Sequence, residues 1–305
     1  MIKKNTLFIL GAGASKPFGY PTGLELRELI RGKTMKRTVG EALDFEDEDL
    51  DCCIKEFDKF VDEFSRSSVY SIDLFLEERT EFMDVGKMTI AAHLISKEDD
   101  KKLREPAGNW YMYLYNRIIS SFEDLDSNAI SFITFNYDRS LEQFLFEAIR
   151  SRFNKPPKEC AEKTSKIPIV HLYGKLDPLP WQDSKEGQVY SGNKNQLQRI
   201  RNAQKNIKLI SDERNVDKTE EFQSAYELIN KSERIRFLGF GFDETNLARL
   251  DTERMKGKSI VGTAQGLETS RRRWVEQYFK KTVTQKIFLF ELDALSLLQQ
   301  DLTIE

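Results

Sequence analysis

The chain has 305 residues, 39% hydrophobic and 32% charged, with 47 Lys and Arg against 50 Asp and Glu and a formal net charge of −3. That is enough apolar sequence for a sizeable core, and the near balance of charge argues against direct nucleic-acid binding, which needs a basic excess on some face. No window approaches the roughly 18 consecutive apolar residues of a membrane span, and the opening Met1–Lys4 leads into a strand-like run without a signal-peptide cleavage pattern. A cytoplasmic location with no membrane association is the default expectation.

The first element is the apolar run 6–10, which closes in Gly11-Ala12-Gly13-Ala14-Ser15. Glycines at a strand end let backbone amides approach a phosphate, and Ser15 can add a hydrogen bond. The same glycines also suit a tight strand-to-helix turn. A dinucleotide fingerprint would want a third glycine at position 16. Lys16 stands there, followed by Pro17 and then Gly19-Tyr20-Pro21-Thr22-Gly23, which weakens the ordinary oxidoreductase reading.

Residues 24–128 are acidic from Glu41 to Asp62, aromatic later and mostly helical in pattern. They read as a helical insertion or small subdomain. His93, inside Ile90–Ile95, reads as a helix residue in packing or at the surface. Cys52 and Cys53 are adjacent and Cys160 stands alone, giving neither a disulfide framework nor a paired Cys-x-x-Cys zinc site. No structural metal is expected.

The β-rich run 130–135 ends abruptly in Asn136-Tyr137-Asp138, which open an amphipathic helical segment over 138–150. The carboxyl end of an internal strand is where open α/β sheets bind ligands, so both polar residues are candidates. Capping of residues 139–141 is the competing reading for Asp138. Segments 151–166, with Lys155-Pro156-Pro157-Lys158-Glu159, and 177–195, with Asp177-Pro178-Leu179-Pro180 and Ser191-Gly192-Asn193, carry turn chemistry and are expected as loops. Between them a strand-like run over 167–172 delivers His171 just before Tyr173-Gly174. A histidine there can orient a hydroxyl or accept a proton near neutral pH, or it can be a buried, hydrogen-bonded core residue.

Further strand-like runs fall at 234–239, 258–262 and 286–290, with helical patterns at 218–231, 244–256 and 267–281 and a last helix after 290. Gly239-Phe240-Gly241-Phe242-Asp243 and Asn246 form a second glycine-containing strand end, and Val261-Gly262-Thr263-Ala264 a third end of small residues. Arg271-Arg272-Arg273 reads as the solvated face of its helix, with a phosphate or partner contact as the competing reading. Strands separated by helices imply an α/β fold, a parallel sheet with helices on both faces, built as one domain over 1–305 with the helical insertion inside it.

The ordered set Gly11-Ala-Gly13-x-Ser15, Thr134-Phe-Asn136-Tyr-Asp138, His171-Leu-Tyr-Gly174 and Gly239-Phe-Gly241-Phe resembles the bacterial sirtuin-like domains. These are relatives of the NAD-dependent deacylases, in which the middle motif usually reads Thr-Gln-Asn-Ile-Asp. The resemblance covers roughly residues 5–265, and Ser71-Ile-Asp73-Leu-Phe-Leu76 is similar to a segment of the helical insertion in defence-associated members. It implies a Rossmann-like NAD site with Gly11, Ala12, Gly13 and Ser15 at the phosphates. Asn136 and His171 would be the catalytic residues by the nicotinamide ribose, Asp138 would lie near the nicotinamide, and Gly239, Gly241 and Asn246 would face the adenosine side. Three cysteines cannot build the four-cysteine zinc module of the deacylases, which favours the branch that hydrolyses NAD as a substrate, without zinc, as an effector of antiphage defence. The resemblance also implies a homo-oligomer and a partner such as a HerA-type ATPase or an Argonaute-type protein. An NAD-dependent deacylase and a non-catalytic NAD or ADP-ribose-binding module remain the alternatives.

Overall fold

The structure, a computed structural model, describes residues 2–32, 34–42, 47–69, 71–119, 121–192, 196–209, 219–283 and 286–300, with the backbone alone described at 41, 42 and 47–53. The sheet is formed by β1 (Thr6–Leu10), β2 (Ile130–Thr134), β3 (Ile169–His171), β4 (Arg234–Leu238), β5 (Ser259–Thr263) and β6 (Phe288–Phe290). They pair in the order β3-β2-β1-β4-β5-β6, and every pair is parallel. This is the parallel α/β sheet read from the sequence. All five residues of β1 are buried, as a strand covered on both faces requires. Leu7 and Ile9 enter one core, Phe8 and Leu10 the other.

Between β1 and β2 lie α1 (Ala12–Ser15), α2 (Gly23–Arg31), α3 (Lys36–Ala42), α4 (Asp47–Arg66), α5 (Ile72–Glu78), α6 (Met83–Ile95) and α7 (Trp110–Ile118). The described part of 24–128 is thus mostly helical, as its pattern predicts. Its acidic helix α4 buries Phe57, Phe60, Val61 and Phe64, spaced to form one stripe. Phe60 and Phe64 meet Phe75 of α5, and Phe60 also meets Phe82.

Helices α8 (Ser140–Phe153) and α9 (Pro157–Ser165) link β2 to β3, and α10 (Gln196–Asn206) and α11 (Glu220–Lys231) lie between β3 and β4. Helix α12 (Glu244–Arg249) follows β4, α13 (Thr269–Thr282) joins β5 to β6, and α14 (Ala294–Gln300) follows the last strand. Arg271 and Arg273 are exposed on α13, the solvated face expected. The strand-and-helix ending read from the sequence is also present.

Two expectations need correction. Segment 151–166 is not a loop: α8 runs on to Phe153, Asn154 caps it in the left-handed region at φ 48°, and α9 begins at once. Pro157 occupies the first turn of α9, where its fixed φ and missing N–H favour helix initiation. Cys160 and Thr164 are buried one turn apart. Proline here starts a helix instead of marking a turn. Second, the pattern over 244–256 is broken. Asp251 takes φ 48° and separates α12 from a single 3-10 turn at Thr252–Met255.

The strand order reverses between β1 and β4, the kind of topological switch point at which open α/β sheets bind ligands. Among the described residues no helix is long and apolar enough to cross a membrane.

Candidate functional site

The carboxyl ends of β1 and β4 meet through backbone alone. Gly13 N–H donates to the Gly239 carbonyl at 2.9 Å, and Gly11 N–H to the Leu238 carbonyl at 3.0 Å. A Cβ on Gly239 would fall 2.0 Å from the Ala14 nitrogen, and its φ of +56° already lies in the left-handed region. Only glycine permits this contact. The glycines of both motifs therefore serve first to bring two strand ends together, and the Gly13 amide is spent on that junction. Ala12 is partly exposed on the turn, and Gly241 is exposed with nothing near the position of a Cβ.

Asn136, just past β2, reaches across to this junction. Its Nδ2 donates to the Gly11 carbonyl at 3.0 Å and to Ser15 Oγ at 2.9 Å. Because a carbonyl can only accept, the amide orientation follows from the network. Ser15 Oγ in turn donates to Asp138 Oδ2 at 2.7 Å. The other carboxylate oxygen, Oδ1, accepts from the Ser140 N–H at 3.1 Å and from the Ser140 hydroxyl. Tyr111 of the insertion lies 2.8 Å from that hydroxyl, and since Ser140 is already donating to Asp138, Tyr111 is the donor. Asp138 thus does both jobs its position offered. It steadies the start of α8 and it anchors Ser15.

Among the described residues one side-chain atom of Asn136 is left uncommitted. No described residue donates to its Oδ1, and Asn136 is partly exposed. Asp138 is 7% exposed and Ser15 3%. Burial pushes the Asp138 carboxyl up from its ordinary value, against the lowering effect of its Ser140 and Ser15 hydrogen bonds. A cavity of about 10 Å³, bordered by Ser15, Tyr111, Asn136, Asp138, Glu142 and His171 among others, is large enough for about one water.

His171 ends β3, in register with Thr134 of β2. Its Nδ1 lies 2.9 Å from the Asn136 backbone oxygen and its Nε2 2.8 Å from Glu142 Oε1 on α8. Lys175 Nζ stands 3.4 Å from the same oxygen. Burial pushes the Glu142 carboxyl up, but the His171 and Lys175 charges and the His171 hydrogen bond outweigh it and hold the group at about 2.

Asn246, in the first turn of α12, sits further along the sheet end. Its backbone N–H is capped by Asp243, and its Oδ1 accepts from Tyr173 O–H at 2.9 Å. Arg249 donates to the same phenol oxygen at 3.0 Å. The segment that resembles the insertion of defence-associated domains reaches the site as well, because Tyr137 O–H donates to Asp73 Oδ1 at 2.7 Å.

Behind Asp138 lies a buried ionic knot. Arg139, fully buried, donates to both oxygens of Glu98 from the insertion at 2.7 and 3.1 Å, and to the backbone carbonyls of Asp177, Pro178, Gln188 and Val189. Arg199 of α10 meets Glu98 from the other side at 2.6 Å. The segment 177–192, free of helix and strand as its turn chemistry predicts, is tied by this knot to the start of α8. Residues 193–195 of that expected loop lie outside the described ones.

The structure brings Gly11, Gly13, Ser15, Asn136, Asp138, His171 and Gly239 into one connected cluster, with Ala12 beside it. Gly241 and Asn246 stand apart toward α12. Sequence reading missed Glu142, although Asp138 and Glu142 are four apart where a helical pattern opens, a spacing that sets both carboxylates on one face. Tyr111 and Glu98 come from the insertion and carry no local signal, whereas Asp73 lies in the segment that the resemblance had singled out. Among the described residues no group of His, Cys, Asp and Glu side chains has the arrangement of a metal site. His93 is buried in α6, with Nδ1 2.9 Å from the Thr89 carbonyl, the packing role expected of it.

The chain matches no protein-family model and no curated protein.

Proposed function

We propose that the protein hydrolyses NAD, releasing nicotinamide and ADP-ribose. The observation that carries this reading is the Asn136 side chain. It is held by two hydrogen bonds at the switch point of a parallel sheet, with its Oδ1 left to accept from a water or a ribose hydroxyl. The order of motifs that resembles the sirtuin-like domains supplies the substrate class.

In the reaction, the bond between the ribose C1′ and the pyridinium nitrogen breaks, and its electron pair neutralises the ring. A water oxygen forms the new bond to C1′ and one proton leaves to solvent. The leaving group departs neutral and needs no general acid, so what the site must supply is a held ribose, an oriented water and tolerance of an oxocarbenium-like transition state. A pair of catalytic carboxylates of the glycosidase kind is not required. Asn136 Oδ1 suits the orienting role, Asp138 fixes Ser15 and through it Asn136, and Gly241 and Asn246 are available to the adenosine half. In this reading the activity serves antiphage defence in the cytoplasm, restrained by assembly with copies of itself or with a partner of the HerA-type ATPase or Argonaute type.

The test is chromatography of nicotinamide and ADP-ribose after incubation with NAD, with folded Asn136→Ala as the control. Nicotinamide release lost in the variant supports hydrolysis, and equal release from both proteins removes Asn136 from the chemistry. A second reading, a module that binds NAD or ADP-ribose without turnover, draws support from the commitment of Gly13, Ser15, Asp138 and His171 to hydrogen bonds within the protein. Tight binding with no nicotinamide release would favour it. Release that depends on an acylated peptide would instead favour a deacylase.

A further inference from the structure

Both ring nitrogens of His171 face oxygen acceptors, Asn136 O at 2.9 Å and Glu142 Oε1 at 2.8 Å. The neutral imidazole has a single N–H, so it would leave one nitrogen lone pair turned against an oxygen lone pair. That mismatch would lie in a buried place, where unmade hydrogen bonds are costly. Two arrangements remove the conflict: a proton on each ring nitrogen, or a proton on the Glu142 carboxyl. The charge facing the carboxylate opposes the second. Lys175 Nζ stands 3.4 Å from the same Oε1, and a cation beside a carboxylate favours its ionised form.

We infer that Glu142 keeps His171 as a doubly protonated imidazolium whose task is to hold the Asn136 backbone, and that His171 is a positioning residue, not the proton acceptor of the reaction. The positioning role rests on the proposed NAD cleavage; the charge state does not. Asn136 is then fixed at both ends, its carbonyl by the His171 Nδ1–H and its amide by Gly11 and Ser15. A reacting group held this way is pre-organised before a ligand arrives. The position of Glu142, buried against His171 with Lys175 beyond it, is explained by the same account.

The chain has only two histidines, so nitrogen NMR of the imidazole rings reads this directly. Burial lowers His93 from its ordinary value and favours its neutral ring, so a doubly protonated ring is assigned to His171, and His171→Gln removes it. The expected spectrum of the wild-type protein shows one histidine with protons on both nitrogens, and Glu142→Gln loses one of them. Two neutral rings in the wild-type protein would overturn the inference, and that spectrum decides the matter even if Glu142→Gln does not fold.

Kinetics give the second readout. His171→Gln keeps an N–H for the Asn136 carbonyl but cannot serve as a base near neutral pH. It should retain at least about ten-fold more nicotinamide release than His171→Ala, a difference of about 1.4 kcal/mol in barrier. Equal loss in the two folded variants would overturn the positioning role. Absence of NAD cleavage by the wild-type protein both alone and with its partner would refute the proposed function and leave the NMR result standing on its own.

Discussion

Ser15 and Asp138, 123 positions apart in the sequence, share a 2.7 Å hydrogen bond that joins the end of β1 to the start of α8. Through it the Asp138 carboxylate orders the hydroxyl that Asn136 donates to, so a buried acid acts on the site without facing solvent. Asp138→Asn should break this order, because an amide nitrogen replaces one of two oxygens that both accept. The expected cost is about 1–3 kcal/mol of stability for a buried donor left unmatched, read from urea unfolding, with loss of most nicotinamide release in the folded fraction. A variant within about 0.5 kcal/mol of wild type, the range of neutral surface changes, with full activity would show that the bond does not matter.

The two glycines after β4 should behave differently. At Gly239 a Cβ would overlap the Ala14 nitrogen, and the backbone φ is +56°. Gly239→Ala should therefore cost more than about 2 kcal/mol, combining backbone strain with forced separation of two strand ends. At Gly241 nothing lies near the position of a Cβ. Gly241→Ala should unfold within about 0.5 kcal/mol of wild type, and any loss of NAD affinity in it reports contact with ligand. Equal destabilisation by the two changes would contradict the close approach of β1 and β4.

Asp177 gives the fold a pH dependence of predictable sign. Burial pushes its carboxyl up to about 6, although Arg139 and Arg199 act to lower it. Neither of its oxygens has a hydrogen-bond partner among the described residues, and Arg199 Nε is 3.8 Å away. A carboxyl with a raised folded-state value favours the protonated fold, so its contribution is complete below about pH 4 and lost as pH rises through about 6. Asp177→Asn imitates the protonated state. The variant should exceed wild-type stability more at about pH 7.5 than at about pH 4.5, measured by urea unfolding at both. A difference independent of pH would refute the assignment.

The strands and their parallel pairing were legible because β1 and β2 are short, mostly apolar runs and β4 alternates Arg234 and Arg236 with Ile235 and Phe237, each followed closely by glycine or a small polar residue. The insertion was legible through its helical spacing. Position 157 was misread because proline punctuates turns and also starts helices, and only the buried Cys160 and Thr164 distinguish the two. In the site, Gly11, Ser15, Asn136 and His171 stood out as polar or small residues at strand ends. Their mutual bonds did not, since Ser15 meets Asp138 and Arg139 meets Glu98 only once β1, β2 and the insertion are packed. The motif glycines were legible as special positions, while their use for strand contact ahead of phosphate contact depends on the adjacency of β1 and β4, which no local pattern encodes.

The most direct test of the central claim is a proton NMR time course of NAD with the wild-type protein, alone and with a candidate partner of the HerA-type ATPase or Argonaute type, set against folded Asn136→Ala. The account predicts free nicotinamide and ADP-ribose accumulating in equal amounts with wild type in at least one of the two conditions, and neither with the variant. Intact NAD in both conditions, with a folded wild-type protein that demonstrably binds it, would contradict hydrolysis and leave the binding module in its place.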